Sequence, residues 1–153
     1  IEDSRAKGKK GLVMLSAKKK MGFLSDPAFL KYKGFQTADT AAPCFELMYL
    51  PFDEHAKKPR FRNTVHDHDT MPRGFVLYYT NQCPFTAKYV PLLKRVAQDY
   101  GIDLTVTHIQ SGEEARNAPT PFTTYSLFYN GEFVTHEILS EKKFEKILVS
   151  KGL

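Results

Sequence analysis

The feature that most constrains this chain is the stretch from Phe75 to Tyr100, FVLYYTNQCPFTAKYVPLLKRVAQDY. Its opening run, Phe75-Val76-Leu77-Tyr78-Tyr79, is apolar, β-branched and aromatic, the composition of a buried strand. The polar residues Thr80-Asn81-Gln82 then turn the chain into Cys83 and Pro84. A proline suits a first helical position, because the N–H it lacks would have no intrahelical partner there. Tyr89, Leu92, Leu93, Val96, Ala97 and Tyr100 recur at helical spacing until Gly101 stops the helix. Cys83 is therefore placed where a strand hands over to a helix N-terminus. The partial positive charge of the unpaired N–H groups there stabilises a thiolate. That makes it a candidate for chemistry rather than packing.

The residues that follow predict a compact order around this unit. Asp103 to Ile109 alternates at period two and reads as a strand. Ser111 to Ala118 is a short helix with Ser111 as cap and Glu113 and Glu114 in its first turn. Thr123 to Tyr129 and Glu132 to Ile138 read as strands joined by Asn130-Gly131, a strong hairpin signal. From Ser140 a last helix carries Phe144, Ile147 and Leu148 on one face. The predicted order is β-α-β-(α)-β-β-α.

This order, with Cys83-Pro84-Phe85-Thr86 at the first helix, resembles the thioredoxin and glutaredoxin fold. Pro91 adds to the likeness. A mid-helix proline costs about 3 kcal/mol or kinks the helix, and thioredoxins carry one at the same offset from the cysteine. Tyr79-Thr80-Asn81-Gln82-Cys83-Pro84-Phe85-Thr86 and Asn117-Ala118-Pro119-Thr120-Pro121 resemble the YoaP-like domain more closely still. In that family a small thioredoxin-like module follows an acetyltransferase domain of the GNAT superfamily. The resemblance implies site roles for Cys83, Thr86 and Pro121, with Pro121 (Pro119 as second candidate) as the cis-proline that shapes the pocket. Thr86 stands where a dithiol enzyme has its resolving cysteine, so two-thiol disulfide reduction is not expected. A monothiol role, with Thr86 donating its hydroxyl to the thiolate and a small thiol as partner, stays open beside a buried or relict cysteine in a fold reused for binding.

The N-terminal part reads differently. Residues 1–11 are polar and basic and could end a helix at Gly8 or Gly11, and Leu12 to Leu15 is a short buried strand. Lys18-Lys19-Lys20 is an exposed turn, and Ser25-Asp26-Pro27 starts a helix that Gly34 closes. Phe45 to Leu50 is a second strand, ended by Pro51. The succession of helix end, strand, helix, Gly34-Phe35 turn and strand resembles the C-terminal half of a GNAT acetyltransferase. That implies acetyl-CoA as cofactor and a small-molecule amine as acceptor. Two departures qualify it. The family's Gln/Arg-x-x-Gly-x-Gly/Ala pyrophosphate loop is absent, and Leu30 stands where many members have a general-acid tyrosine. Tyr32 is two residues further on and points elsewhere on the helix, so the role is not carried over. The expected organisation is an α/β (α+β) chain: 1–52 as the C-terminal portion of a GNAT domain, 53–73 as linker, and 74–153 as the YoaP-like domain. Alone, this segment is expected to be inactive in acetyl transfer.

Composition adds limits. At 153 residues, 42% of them hydrophobic, the chain can hold one ordinary core or two small ones. The net charge of +5 is concentrated in residues 1–34, where nine lysines and arginines face three acids. Such a face could meet phosphates, but no aromatic residues interleave with the lysines as in nucleic-acid platforms, so nucleic acid is not an expected partner. No apolar run approaches a membrane span. Two cysteines so far apart as Cys44 and Cys83 make no disulfide framework, which fits a reducing cytoplasm. Cys44 reads as a small core residue. The start at Ile1 leads us to expect a part of something longer. His66-Asp67-His68-Asp69 offers metal-ligand side chains, but a loop of this kind supplies no third ligand from a rigid element; no metal is expected.

Overall fold

The computed structural model describes residues 1–153. The chain is a mixed α/β protein with two sheets and divides into two compact units, Ile1–His66 and Asp67–Leu153. No helix is long and apolar enough to cross a membrane.

The first unit opens with helix α1, Glu2–Ala6, left by way of Gly8 at φ +66°. Strand β1, Gly11–Ala17, follows. Helix α2, Pro27–Tyr32, starts where the sequence signals it: the Asp26 carboxylate accepts from the Ala28 N–H at 2.9 Å, which holds its pKa below the ordinary value. Gly34, at φ +87°, turns the chain into β2, Gln36–Ala41, and β3 is Phe45–Pro51. The sheet order is β1-β3-β2, antiparallel throughout. β2 is the strand the sequence did not announce. Gln36-Thr37-Ala38-Asp39-Thr40-Ala41 carries no large apolar side chain, and its strand state comes from pairing with β3, with a shift in register between Thr37 and Asp39. Polar composition is usual on an edge strand. Leu30, Phe35 and Met48 form the core of this unit, and Leu12 and Leu50 pack against it. Leu30 is buried and Tyr32 is 81% exposed, so the two side chains leave α2 in different directions.

In the second unit β4, Phe75–Tyr79, is followed by the 16-residue helix α3, Pro84–Asp99. Then come β5 (Leu104–His108), α4 (Gly112–Asn117), β6 (Tyr125–Tyr129), β7 (Glu132–Thr135) and α5 (Glu141–Ser150). The sheet order is β5-β4-β6-β7. β4 and β5 are parallel, as a strand–helix–strand crossover requires, and the other pairs are antiparallel. The Asn130-Gly131 turn has both residues at positive φ, 49° and 80°, as a two-residue hairpin demands. β7 ends at Thr135, three residues before the sequence pattern suggests.

One face of this sheet packs on α3 and α5 through Phe75, Leu77, Leu93, Leu127, Phe144 and Leu148, all fully buried. Each such side chain contributes about 1.5–3 kcal/mol through removal from water. The opposite face carries Val76, Tyr78, Ser126 and Phe128, and the His68 ring stands edge-on to Phe128 at 5.0 Å. Asp67–Arg73, the end of the linker expected from composition, thus belongs to the second compact unit. Apart from a short 3₁₀ turn at Asn63–Val65, residues 53–73 contain no helix or strand.

Candidate functional site

Cys83 is the N-cap of α3, in extended backbone (φ −116°, ψ 125°) directly before Pro84. It is a free thiol, half-buried, and its side chain makes no capping hydrogen bond. The first turn of α3 holds no acidic residue to oppose an anion.

The loop before it is held by its own backbone and by a neighbouring loop. Thr86 lies one turn into the helix and is fully buried. Its hydroxyl lies 3.0 Å from the Thr80 carbonyl oxygen and 2.7 Å from that of Cys83, and its N–H donates to Cys83 O at 3.1 Å. The expected donation from Thr86 to the sulfur is therefore corrected. The single hydroxyl proton is used on main-chain oxygens, and Thr86 fixes the turn that carries Cys83. Thr80 in turn donates its N–H to Thr124 O at 3.2 Å, and the Thr124 hydroxyl donates to Gln82 Oε1 at 2.9 Å. The Cys83 turn is thus joined to the loop that contains Pro121.

That loop, Ala118–Thr124, has an internal frame of buried hydroxyls. Thr120 Oγ1 and Ser126 Oγ are 2.8 Å apart, Ser126 Oγ donates to Phe122 O at 2.8 Å, and the Phe122 N–H donates to Thr120 Oγ1 at 3.2 Å. Pro121 is half-buried. The one cis peptide bond of the chain precedes Pro43, not Pro121 or Pro119, so the expected cis-proline beside Cys83 is corrected. Neither aromatic neighbour roofs the thiol: Phe85 is 58% exposed with its ring towards Tyr89, and the Phe122 ring packs on His136.

Lined in part by the Thr80–Gln82 turn, a groove of about 620 Å³ runs at the C-terminal ends of β4 and β5. Asn81, Gln82, His108, Gln110 and Ser111 line it with amide, imidazole and hydroxyl groups, and no lysine, arginine or carboxylate contributes to its wall. His108 is stacked on Tyr79, with centroids 4.5 Å apart and an interplanar angle of 8°.

A family model described as YoaP-like matches residues 103–146. The match covers β5, α4, the Pro119–Pro121 loop, the β6–β7 hairpin and the start of α5. The chain is also 39% identical over 148 residues to a protein of Bacillus subtilis (strain 168) named "Uncharacterized N-acetyltransferase YoaP". That alignment takes in 97% of this chain and 59% of the relative, so the chain spans little more than half of the relative's length.

The remaining sequence candidates are dispersed. Cys44 lies in the first unit with its sulfur 3.4 Å from Met21 Sδ, and burial pushes its thiol pKa up. No group of three or more metal-ligating side chains comes together. His66 packs its ring against Phe61, whereas His68 Nε2 lies 3.0 Å from the Pro119 carbonyl oxygen. The sequence reading quotes Thr80, Gln82 and Thr120 within its motifs without giving them a role, and it passes over Thr124 and Ser126. For the last of these a signal exists: Ser126 is a hydroxyl inside the otherwise aromatic and apolar strand Tyr125-Ser126-Leu127-Phe128-Tyr129.

Proposed function

We propose that this chain is the C-terminal part of a GNAT-type N-acetyltransferase that moves an acetyl group from acetyl-CoA to a small-molecule amine. In this reading 1–52 is the end of the acyltransferase domain, 53–73 the connection, and 74–153 a YoaP-like thioredoxin-fold domain with a single Cys-Pro-Phe-Thr cysteine. The observation that carries it is the 39% identity along nearly the whole chain to a protein named as an N-acetyltransferase. The β5-β4-β6-β7 order, with Cys83 capping the helix after the central strand, supports the thioredoxin-like part.

The residues present do not fit the cofactor's pyrophosphate. An anion site at a helix start needs free N–H groups and no opposing charge. The first turn of α1 carries Glu2 and Asp3 instead. The nearby groove of about 270 Å³ is basic, but Lys10 there is paired with Asp53 at 3.0 Å, and Arg5 stacks over Phe52 at 4.2 Å. Calorimetric titration of this chain with acetyl-CoA is therefore expected to show only weak, salt-sensitive attraction. Micromolar, salt-resistant binding would overturn the inactivity of this segment. For the acyltransferase reading itself, the complete protein carrying this chain is assayed for CoA-thiol release against a panel of amines. No release with any amine refutes it.

A second reading is favoured by the free, half-buried Cys83 at a helix N-terminus. Here Cys83 acts as a monothiol. Its thiolate attacks one sulfur of a small disulfide, the new sulfur–sulfur bond forms as the old one breaks, and the second half leaves as a thiolate. Thr86 and the Pro121 loop hold the turn while this happens. Intact-mass analysis after treatment with glutathione disulfide should show one adduct, lost in Cys83→Ser. An adduct on Cys44 alone would dismiss the reading.

A further inference from the structure

We propose that His68 is a positioning residue: its imidazole clamps the Ala118–Thr124 loop and, through that loop, the turn that carries Cys83. His68 lies in the segment before β4 that reads, in sequence, as linker or as half of a metal site. Its ring is fixed from two sides. One edge meets Phe128 at 5.0 Å, and Nε2 lies 3.0 Å from Pro119 O. Because a carbonyl oxygen only accepts, Nε2 must carry the proton and donate. The backbone of His68 is fixed as well. Its carbonyl accepts the Met71 N–H at 3.1 Å, and it lies so near Gly131 that a Cβ there would meet it at 3.1 Å. Gly74 and Asn130 exchange two further bonds, at 2.8 and 2.9 Å, which dock the same segment on the hairpin.

From Pro119 the restraint runs through the Thr120–Ser126–Phe122 frame to Thr124, then to Gln82 and Thr80, and by Thr86 to the Cys83 carbonyl. Every link is a hydrogen bond or a single stretch of chain. Asp67–Arg73 is thereby part of the machinery of the second unit. The step from loop position to thiol behaviour rests on the monothiol reading above.

The clamp is tested on the full chain by hydrogen exchange of wild type, His68→Leu and His68→Gln. Losing one hydrogen bond should speed exchange of the amides in 118–124 by about five- to tenfold, with β4 and β6 unchanged. Gln, which keeps an N–H donor on a planar group, should restore most of the protection. Unchanged exchange in His68→Leu overturns the clamp. Should that variant lose protection throughout, the wild type still decides: long-range ¹⁵N–¹H spectra must show His68 Nε2 carrying a proton, and an Nε2 without one refutes the proposal. For the thiol, iodoacetamide labelling of Cys83 is read against Cys44 in the same sample. The ratio should rise about fivefold in His68→Leu, the same free-energy range as one lost bond. Faster loop exchange with an unchanged ratio would refute the link to Cys83. If wild-type Cys83 does not label at all, the monothiol reading fails, while the exchange experiment still judges the clamp.

Discussion

Thr86→Val is the perturbation that most directly probes how the Cys83 turn is built. Valine matches threonine in shape, so no cavity opens at this fully buried position. What disappears is one hydroxyl proton placed between Thr80 O, at 3.0 Å, and Cys83 O, at 2.7 Å. Cys83 O keeps the Thr86 N–H at 3.1 Å, so the loss falls on the Thr80 carbonyl. Leaving a buried acceptor without its donor costs about 1–3 kcal/mol; we expect about 2 kcal/mol for the second unit, at the centre of that range. Thr86→Ser gives the contrast, since it keeps the hydroxyl and removes one methyl, at about 1 kcal/mol. Because the chain has two compact units, a global unfolding curve would mix them. Native-state exchange of the α3 amides across a urea series reports the second unit alone. Valine should therefore be the worse substitution, and it should also raise Cys83 alkylation by loosening the turn. A valine variant as stable as wild type, or a serine variant worse than valine, would refute the assignment of Thr86 to main-chain bonding.

Three further outcomes follow from other positions. Tyr125 is fully buried with a hydroxyl that makes no hydrogen bond; the Leu139 backbone lies near enough to favour the phenolate weakly without completing one. Tyr125→Phe should stabilise the second unit by about 1 kcal/mol at neutral pH, the penalty of an unpaired buried hydroxyl, as read by urea titration of exchange; destabilisation would contradict it. Burial pushes the Tyr125 phenol pKa well above its ordinary value, so its contribution is complete below the unfolded value near 10 and is lost as pH rises beyond it; the phenylalanine variant should lose less stability above that pH. Gly131→Ala combines a residue at φ +80° with a Cβ 3.1 Å from the His68 carbonyl. It should cost at least about 1 kcal/mol from the left-handed backbone alone, and loop 118–124 should lose protection with it; wild-type exchange there would separate the hairpin from the clamp. Burial raises the Cys44 thiol pKa, with Lys18 opposing it weakly. Labelling of Cys44 should thus still be climbing with pH when it passes the ordinary thiol value, and a plateau at or below that value would show the sulfur to be better solvated than its packing implies.

Local chemistry was enough to determine the frame of this protein. The apolar run Phe75–Tyr79, the Cys83-Pro84 entry, the Ser111 cap and Asn130-Gly131 each act over a few residues, through side-chain pattern or backbone preference. The corresponding elements lie where that chemistry puts them, and the Ser111 hydroxyl accepts from the Glu114 N–H at 3.1 Å as its cap position requires. The long-range partners were not legible. Nothing local marks Gln36–Ala41 as a strand, because its state depends on β3 beside it. Nothing marks Thr86 as a donor to main-chain carbonyls rather than to sulfur, because the fold decides which acceptors, here Thr80 O and Cys83 O, lie within reach of the hydroxyl. His68 is the clearest case. In sequence it is one of three histidines in the charged 53–73 stretch, and its bond to Pro119 spans 51 positions. A hydrogen bond needs its two atoms within about 3 Å, and only the folded sheet brings that carbonyl to that ring.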